Sequence, residues 1–138
     1  MSPASATRGE EAQSTVEFAL VLPVLLIIVL LFVQSVMVLH AQLVVTGAAR
    51  EAARRGVETA SEAEIRGVAM RAAAGLSADR LDISVDAGPR VRGEWIKVGV
   101  AYEVPVVIPV IEKLFPDHIR VEGKASMRIE NDHEDSAL

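Results

Sequence analysis

The side chains that could carry acid–base or metal chemistry are scattered along this 138-residue chain. His40, His118 and His133 are far apart and lack the spacing of metal ligands. Carboxylates such as Glu122 fall on predicted solvated faces, and there is neither a glycine-rich phosphate loop nor a nucleophile elbow. The absence of cysteine excludes disulfides and thiolate sites. The sequence therefore predicts no catalytic, metal or cofactor site and no small-molecule substrate, and the chain is expected not to be an enzyme.

One carboxylate nevertheless stands in an unusual place. Glu17 directly precedes the uninterrupted apolar run Phe18–Val33. An acidic group at the hydrocarbon boundary is costly unless it is paired or kept at the interface. Two roles are open from the residues alone. Glu17 lies among lipid headgroups near the positive N-terminal end of a helix, or it pairs with a cation on another subunit.

The apolar run has the length of a membrane-spanning helix. From Phe18 to Leu39 it covers about 22 residues, or roughly 33 Å as a helix, which matches a hydrocarbon core of about 30 Å. A secretory signal has a shorter apolar region of about 7–15 residues and a small-residue cleavage site. No such site follows Leu39 closely, so the pattern predicts a single-pass anchor in which Pro23 causes at most a mild kink.

The helix is predicted to continue beyond the apolar run, because residues 39–55 are rich in the helix formers Ala, Arg and Glu. We expect one helix from about Ser14 to Arg55, with Gly56 as its stop. Glu51 and Arg55 have the spacing of a favourable i,i+4 ion pair. Three residues are predicted to share its apolar face: Leu43, Ala49 and Ala53.

The residues after this helix predict a small α+β domain. Ser61 and Glu64 fit a capping box at the start of a second helix, from about Glu62 to Ala74. The apolar period then changes from 3.6 to 2, which predicts strands with one apolar face. Three such stretches are found, namely Leu81–Val85, Ile96–Val104 and Ile119–Ile129. They predict an antiparallel sheet covered on one side by helix.

Two further segments stand out in the C-terminal half. Pro105–Pro116 is apolar for a loop, and its prolines exclude a regular central strand. It is expected to fold over an open core edge, or to meet the membrane or a partner. The tail Glu130–Leu138 is acidic and expected to be disordered. The net charge of -5 and the lack of a basic stripe argue against nucleic acid as a partner.

Three stretches resemble the TadE-like pilus assembly proteins, which are minor pilins, or pseudopilins, of the tight-adherence (Tad/Flp) secretion system. The stretch from Gln13 contains V-E-F-A-L-V-L-P, with Glu17, Phe18 and Pro23 at the family's motif positions. Residues 46–54 resemble the second family hallmark, A-A-R-E-A-A-R, with Arg50, Glu51 and Arg54. Residues 125–130 resemble the usual final strand.

The resemblance implies a pilin-like fold, with a long N-terminal helix and a small sheet. It also implies cleavage by a prepilin peptidase, with the acidic residue at the fifth position after the cut. If Glu17 is that residue, the cut lies between Ala12 and Gln13, and Ala12 takes the place of the glycine that the family more often has. The resemblance favours a role for Glu17 in pairing with a neighbouring subunit's new N-terminal amine.

The resemblance and the charge distribution disagree about topology. Lys and Arg usually accumulate on the cytoplasmic side of a membrane span. Here one arginine, Arg8, precedes the span and three follow it, namely Arg50, Arg54 and Arg55. By charge alone, the domain would be cytoplasmic. These three arginines lie more than ten residues past Leu39. We therefore follow the resemblance, which places the N-terminus in the cytoplasm and the domain outside the cytoplasmic membrane, with possible incorporation in a pilus.

These inferences divide the chain into four parts: a cytoplasmic leader (1–12), a transmembrane and amphipathic long helix (13–56), a small α+β pilin-like domain (57–130) and the acidic tail (131–138). The expected function is structural, that of a minor pilin in assembly of a Flp-type adhesion pilus. The expected partners are other Tad pilins, assembly platform proteins and the prepilin peptidase. The alternative is a membrane-tethered binding module of the cell envelope that does not polymerise and holds a ligand or partner through Pro105–Pro116.

Overall fold

The computed structural model describes residues 4–58, 61–88, 93–108 and 117–129. The predicted acidic tail lies outside the described residues, as do His133 and residues 109–116 of the proline-flanked segment. The described elements are two helices, a short 3-10 turn and three strands. They form the expected α+β architecture, in which a long N-terminal helix precedes a second helix and a three-stranded antiparallel sheet.

Helix α1 spans Ala4–Glu58, which is 55 residues or roughly 80 Å. It begins well before the predicted Ser14, because residues 4–13 include several strong helix formers and no proline. It also continues through Gly56, so the predicted stop there is wrong. Gly56 is buried, and a Cβ at this position would collide with the Ile96 side chain. This glycine allows close packing rather than ending the helix.

Helix α2 spans Glu62–Ala72 and ends two residues before the predicted Ala74. Its capping residue is the predicted one, since the backbone N–H of Glu64 donates to Ser61 Oγ at 3.4 Å. Ile65 is fully buried within the core that α2 shares with α1 and the sheet. The amphipathic pattern of α2 is therefore satisfied by packing rather than by solvent.

The sheet has the order β1-β2-β3 and is antiparallel throughout. Tyr102 in the central strand pairs with Leu81 on one side and with Val121 on the other. The 3-10 turn Ala78–Arg80 leads into the first strand. The strands are β1 (Leu81–Asp86), β2 (Trp95–Pro105) and β3 (His118–Arg128). All three therefore form where the period-2 pattern predicts them.

One face of the sheet packs on helix and forms the core. In β2 the predicted inward set is buried, comprising Ile96, Val98, Val100, Tyr102 and Val104. Lys97 lies on the opposite face and is exposed. The helical side of the core comes from α2 and from the C-terminal half of α1. The N-terminal half of α1 takes no part in this core, so the domain leaves its side chains uncovered.

Candidate functional site

The N-terminal half of α1 exposes a continuous sheath of large aliphatic and aromatic side chains. Phe18, Leu20 and Phe32 have exposed fractions of 63%, 71% and 70%. This is the one helix among the described residues that is long and apolar enough to cross a membrane. Pro23 lies inside it without ending the helix. Such a surface is stable only against lipid or against other apolar helices, which is consistent with a single-pass membrane anchor.

Glu17 lies at the N-terminal edge of this apolar sheath and is exposed. Its carboxylate Oε1 accepts a hydrogen bond from Gln13 Nε2 at 3.2 Å. Helix α1 begins at Ala4, so Glu17 is several turns away from the positive helix end. The expectation that Glu17 meets the helix N-terminus is therefore wrong for the full-length chain, because the dipole effect fades within the first turn. The proposed Ala12–Gln13 cleavage bond also lies inside the helix.

The C-terminal half of α1 is built on small residues. Ala49, Ala52 and Ala53 are fully buried against the sheet and α2. The helix and β3 approach so closely that a Cβ on Gly123 would lie 2.6 Å from the backbone of Thr46. Small side chains allow this backbone-to-backbone approach, whereas Leu or Ile at these positions would hold the elements apart.

The A-A-R-E-A-A-R stretch divides cleanly between inside and outside. Its four alanines, residues 48, 49, 52 and 53, are buried, whereas Arg50, Glu51 and Arg54 are exposed. No ion pair to these three charges occurs among the residues that the structure describes. The motif therefore combines buried alanines that pack on the domain with charged side chains that stay exposed, of which Arg54 borders a shallow groove beside Trp95 and Arg128 of the sheet.

Arg55 does not form the predicted pair with Glu51. Its guanidinium instead contacts Glu58 at 2.7 Å and Glu64 at 2.6 Å, which links the end of α1 to the start of α2. Hydrogen bonds to Glu58 and then to Glu64 raise the pKa of Arg55 above its ordinary value. All three side chains are substantially exposed, so solvent limits the stabilisation that this cluster provides.

The prediction that Leu43 shares a face with Ala49 and Ala53 is wrong. Leu43 has an exposed fraction of 66%, and the helix instead buries Ala41 and Val45. The reason is rotational, since six residues turn a helix by about 240° and bring Leu43 to the side away from the sheet. Together with other exposed residues it forms what we term the free face of α1, comprising Leu39, Leu43, Gly47, Arg50 and Arg54.

Sequence reasoning missed one residue that joins the two halves of the molecule. Gln34 interrupts the apolar run and is only 7% exposed. Its side chain Nε2 donates to the carbonyl of Pro105 at 3.1 Å, and its Oε1 accepts from the backbone N–H of Val107 at 2.9 Å. A lone amide among apolar residues was the available signal. Its partner could not be known, because it lies over seventy residues further along the chain.

The expected site residues thus form two groups on one helix rather than a single constellation. Ala12, Gln13, Glu17 and Phe18 lie at one end of the apolar sheath. The charges of the second motif, which begin at Arg50, lie roughly 50 Å away along the axis. Within the described ranges, no group of three His, Asp or Glu residues could hold a metal ion.

Comparison with known proteins identifies the region that carries these features. Residues 12–54 match the family model described as TadE-like protein. The match covers both motifs on α1 and confirms the resemblance there. It does not extend to the second helix or the sheet, so the likeness of residues 125–130 to the family's final strand stays a prediction. No curated protein and no solved structure gives a significant match.

Proposed function

We propose that this chain, matched to the TadE-like family over residues 12–54, is a minor pilin that takes part in assembly of a Flp-type pilus. The observation that carries the proposal is that the matched helix keeps, in both of its halves, a surface that its own domain leaves uncovered. That surface combines the apolar sheath of the first half with the free face of the second half. A subunit that must join other helices needs such an uncovered surface along its whole helix.

In the proposed mechanism, lipid first holds the apolar half of α1 and other helices later replace the lipid. Lipid tails are as apolar as Leu or Val side chains, so this exchange depends on helix packing rather than on hydrophobic burial. Leu20 and Phe32 then pack against neighbouring subunits instead of lipid. The sheet domain packs on the other side of α1, so it leaves this exchange unobstructed.

In the proposed topology, the N-terminus is cytoplasmic and the sheet domain lies outside the cytoplasmic membrane. The prepilin peptidase removes residues 1–12, which makes Gln13 the new N-terminus. Glu17 then lies four residues from the new N-terminus, just past the first turn of the shortened helix and much closer to its positive end, where a carboxylate is favoured. The cut also brings its carboxylate within reach of a neighbour's new α-amine, and that pair sets the axial register between subunits.

The register role is tested by Glu17→Ala and Glu17→Lys, assayed for pilus assembly in cells. Both variants should insert in the membrane as the unaltered chain does, because the apolar run is unchanged, and both should reduce piliation. Glu10→Gln is the matched control, since this nearby acidic residue would be removed with the leader. Normal piliation in both Glu17 variants would rule the register role out.

The processing step and the alternative function are tested separately. Mass spectrometry of the mature chain should find Gln13 at its N-terminus, and a chain that keeps residues 1–12 would refute cleavage. Crosslinking in membranes should recover the chain together with pilins. If it were recovered only as a bilayer-resident monomer, the non-polymerising binding module would be favoured instead.

A further inference from the structure

The polar break in the apolar run is a clamp between the helix and the loop that follows β2. Gln34 uses both ends of its amide, donating to the carbonyl of Pro105 and accepting from the N–H of Val107. Ile108, the next residue, is only 2% exposed. The loop is therefore bound to α1 at Gln34. This position lies inside the span Phe18–Leu39 that the sequence alone predicts to cross the membrane.

This clamp shortens the part of the helix that is free to cross lipid. From Phe18 to Val33 the helix has about 16 residues, or roughly 24 Å, whereas a hydrocarbon core is about 30 Å thick. Any tilt reduces the vertical reach further. The span cannot be lengthened at its other end without bringing Glu17 into hydrocarbon, which is costly. The residues just after Val33 must therefore lie at the boundary between acyl chains and headgroups. The loop after β2, which packs on Gln34, must lie there too.

The surface that reaches this level is apolar. Val107 and Ile119 have exposed fractions of 48% and 37%, and Leu39 on the free face is 59% exposed. An open groove between α1 and Ile119 is lined mainly by carbon, including Leu31 and Val38. These side chains are continuous with the apolar sheath, and no described part of the chain covers them.

Charged groups beside this surface limit how deeply it can enter. Asp117 is exposed just before β3, and next to it His118 Nε2 lies 3.7 Å from a carboxylate oxygen of Glu103. Such groups are stable among headgroups but not in hydrocarbon. An apolar surface bordered by polar groups at one level fits the boundary between acyl chains and headgroups.

We propose that Val107 and Ile119, together with Leu39, form a second membrane contact that seats the domain in the boundary layer of the bilayer its own helix crosses. The occupant of this surface is phospholipid. The inference rests on the proposed membrane anchoring and adds that the domain is held against the membrane rather than standing off on a free stalk. The Gln34 clamp fixes the depth of the contact.

The single tryptophan of the chain makes a direct test possible. Trp95 begins β2 and is 54% exposed, about 35 Å along the strand from Pro105. The full-length chain is reconstituted in phosphatidylcholine vesicles whose acyl chains carry bromine close to the headgroup or close to the bilayer centre. In the unaltered chain, Trp95 should keep its fluorescence in both kinds of vesicle.

Two variants in a Trp95→Phe background supply the comparison. Val107→Trp should lose at least half of its fluorescence to shallow bromines and less to deep ones. Phe32→Trp, within the span, should be quenched by bromines in the acyl chains and serves as the test of anchoring itself. If Phe32→Trp is quenched and Val107→Trp is not, the second contact is refuted while the anchor stands.

The other outcomes are equally decisive. An unquenched Phe32→Trp would overturn the anchor and with it the proposed function. Quenching of Trp95 in the unaltered chain would show that the domain lies on its side, which contradicts the proposed seating. Because the chain has no cysteine, a spin label on Val107→Cys gives a second measurement if the tryptophan variant does not fold. Protection of that label from a water-soluble relaxation agent is expected, and full accessibility would refute the contact.

Discussion

The two halves of helix α1 solve opposite packing problems. The N-terminal half carries large side chains that its own domain leaves exposed, such as Leu20 and Phe32. The C-terminal half buries alanines completely, among them Ala49 and Ala53. The difference shows that side-chain size along one continuous helix distinguishes the half that meets exchangeable apolar partners from the half that is fixed to its own sheet.

The energetics of the two halves differ for the same reason. Burial of large aliphatic groups is non-directional and depends mainly on area, so lipid and neighbouring helices are both acceptable partners. The contact of Thr46 with Gly123 instead depends on backbone shape, because it leaves no room for even a Cβ at Gly123. The N-terminal half of the helix can therefore exchange lipid for other helices, whereas the C-terminal half stays packed on its own sheet.

The largest expected effect comes from breaking the close contact between α1 and β3. Gly123→Val places side-chain atoms against the backbone of Thr46, where a Cβ alone would lie at 2.6 Å. Because neither backbone can yield easily, we expect the free energy of unfolding to fall by about 3 kcal/mol or more. Urea unfolding of the full chain in detergent micelles, followed by Trp95 fluorescence, measures this loss.

Gly47→Ala is the matched control on the opposite side of α1. A Cβ at Gly47 meets no atom within 4 Å, and Ala is the better helix former, so the free energy of unfolding should rise by up to about 1 kcal/mol. Equal stability losses in the two glycine variants would contradict the assignment of the closely packed side of α1.

A smaller effect is expected where the two halves meet. Gln34→Leu keeps the apolar run intact but leaves the N–H of Val107 and the carbonyl of Pro105 without their side-chain partner. We expect a loss of about 1–3 kcal/mol in the free energy of unfolding, with membrane insertion retained. The same urea titration, together with membrane fractionation, checks both parts.

Ser35→Ala tests whether any polar residue in this break would matter. Ser35 Oγ donates to the carbonyl of Leu31 within the same helix, at 2.8 Å, and within the described residues it makes no hydrogen bond to the sheet domain. Its removal should change stability by less than about 0.5 kcal/mol. If Ser35→Ala destabilised the chain as much as Gln34→Leu, the clamp would not be specific.

The smallest effects are expected among the charges at the end of α1. Arg55→Gln breaks contacts to Glu58 and Glu64, but these groups are largely solvated, so the loss of stability should be smaller than that caused by Gln34→Leu. Arg54→Gln should leave stability within about 0.5 kcal/mol, because Arg54 makes no ion pair within the described residues. In pilus assays we expect the opposite ranking, with Arg54→Gln the more harmful. A loss of stability without loss of piliation in Arg54→Gln would contradict the role of the free face.

Much of the fold could be predicted because its signals are local. The three strands form where alternation predicts them, and Ser61 caps α2 through Glu64 as its spacing indicates. The wrong predictions concern residues whose contacts are made with a partner far away in the sequence. Gly56 suggests a helix stop by its type, but Ile96 packs against it and the helix continues. Arg55 has Glu51 one turn away, but Glu64 on the next helix binds it instead.

The candidate site follows the same division. The carboxylate of Glu17 beside a long apolar run is visible in the sequence, and so are the motifs that match the TadE-like family. Which residues in the C-terminal half of α1 face outward was only partly predictable, as the exposed Leu43 shows. The free face is defined by where the sheet packs, and that depends on all three strands together.

The sequence by itself determined the apolar span, the strand positions and the absence of thiol chemistry, because composition and periodicity act over a few neighbouring residues. Only the tertiary structure decided how much of that span is free to meet lipid. Gln34 shortens it by binding the backbone after β2, over seventy residues away. Pairing between such distant residues depends on the folded position of the sheet, which no local pattern encodes.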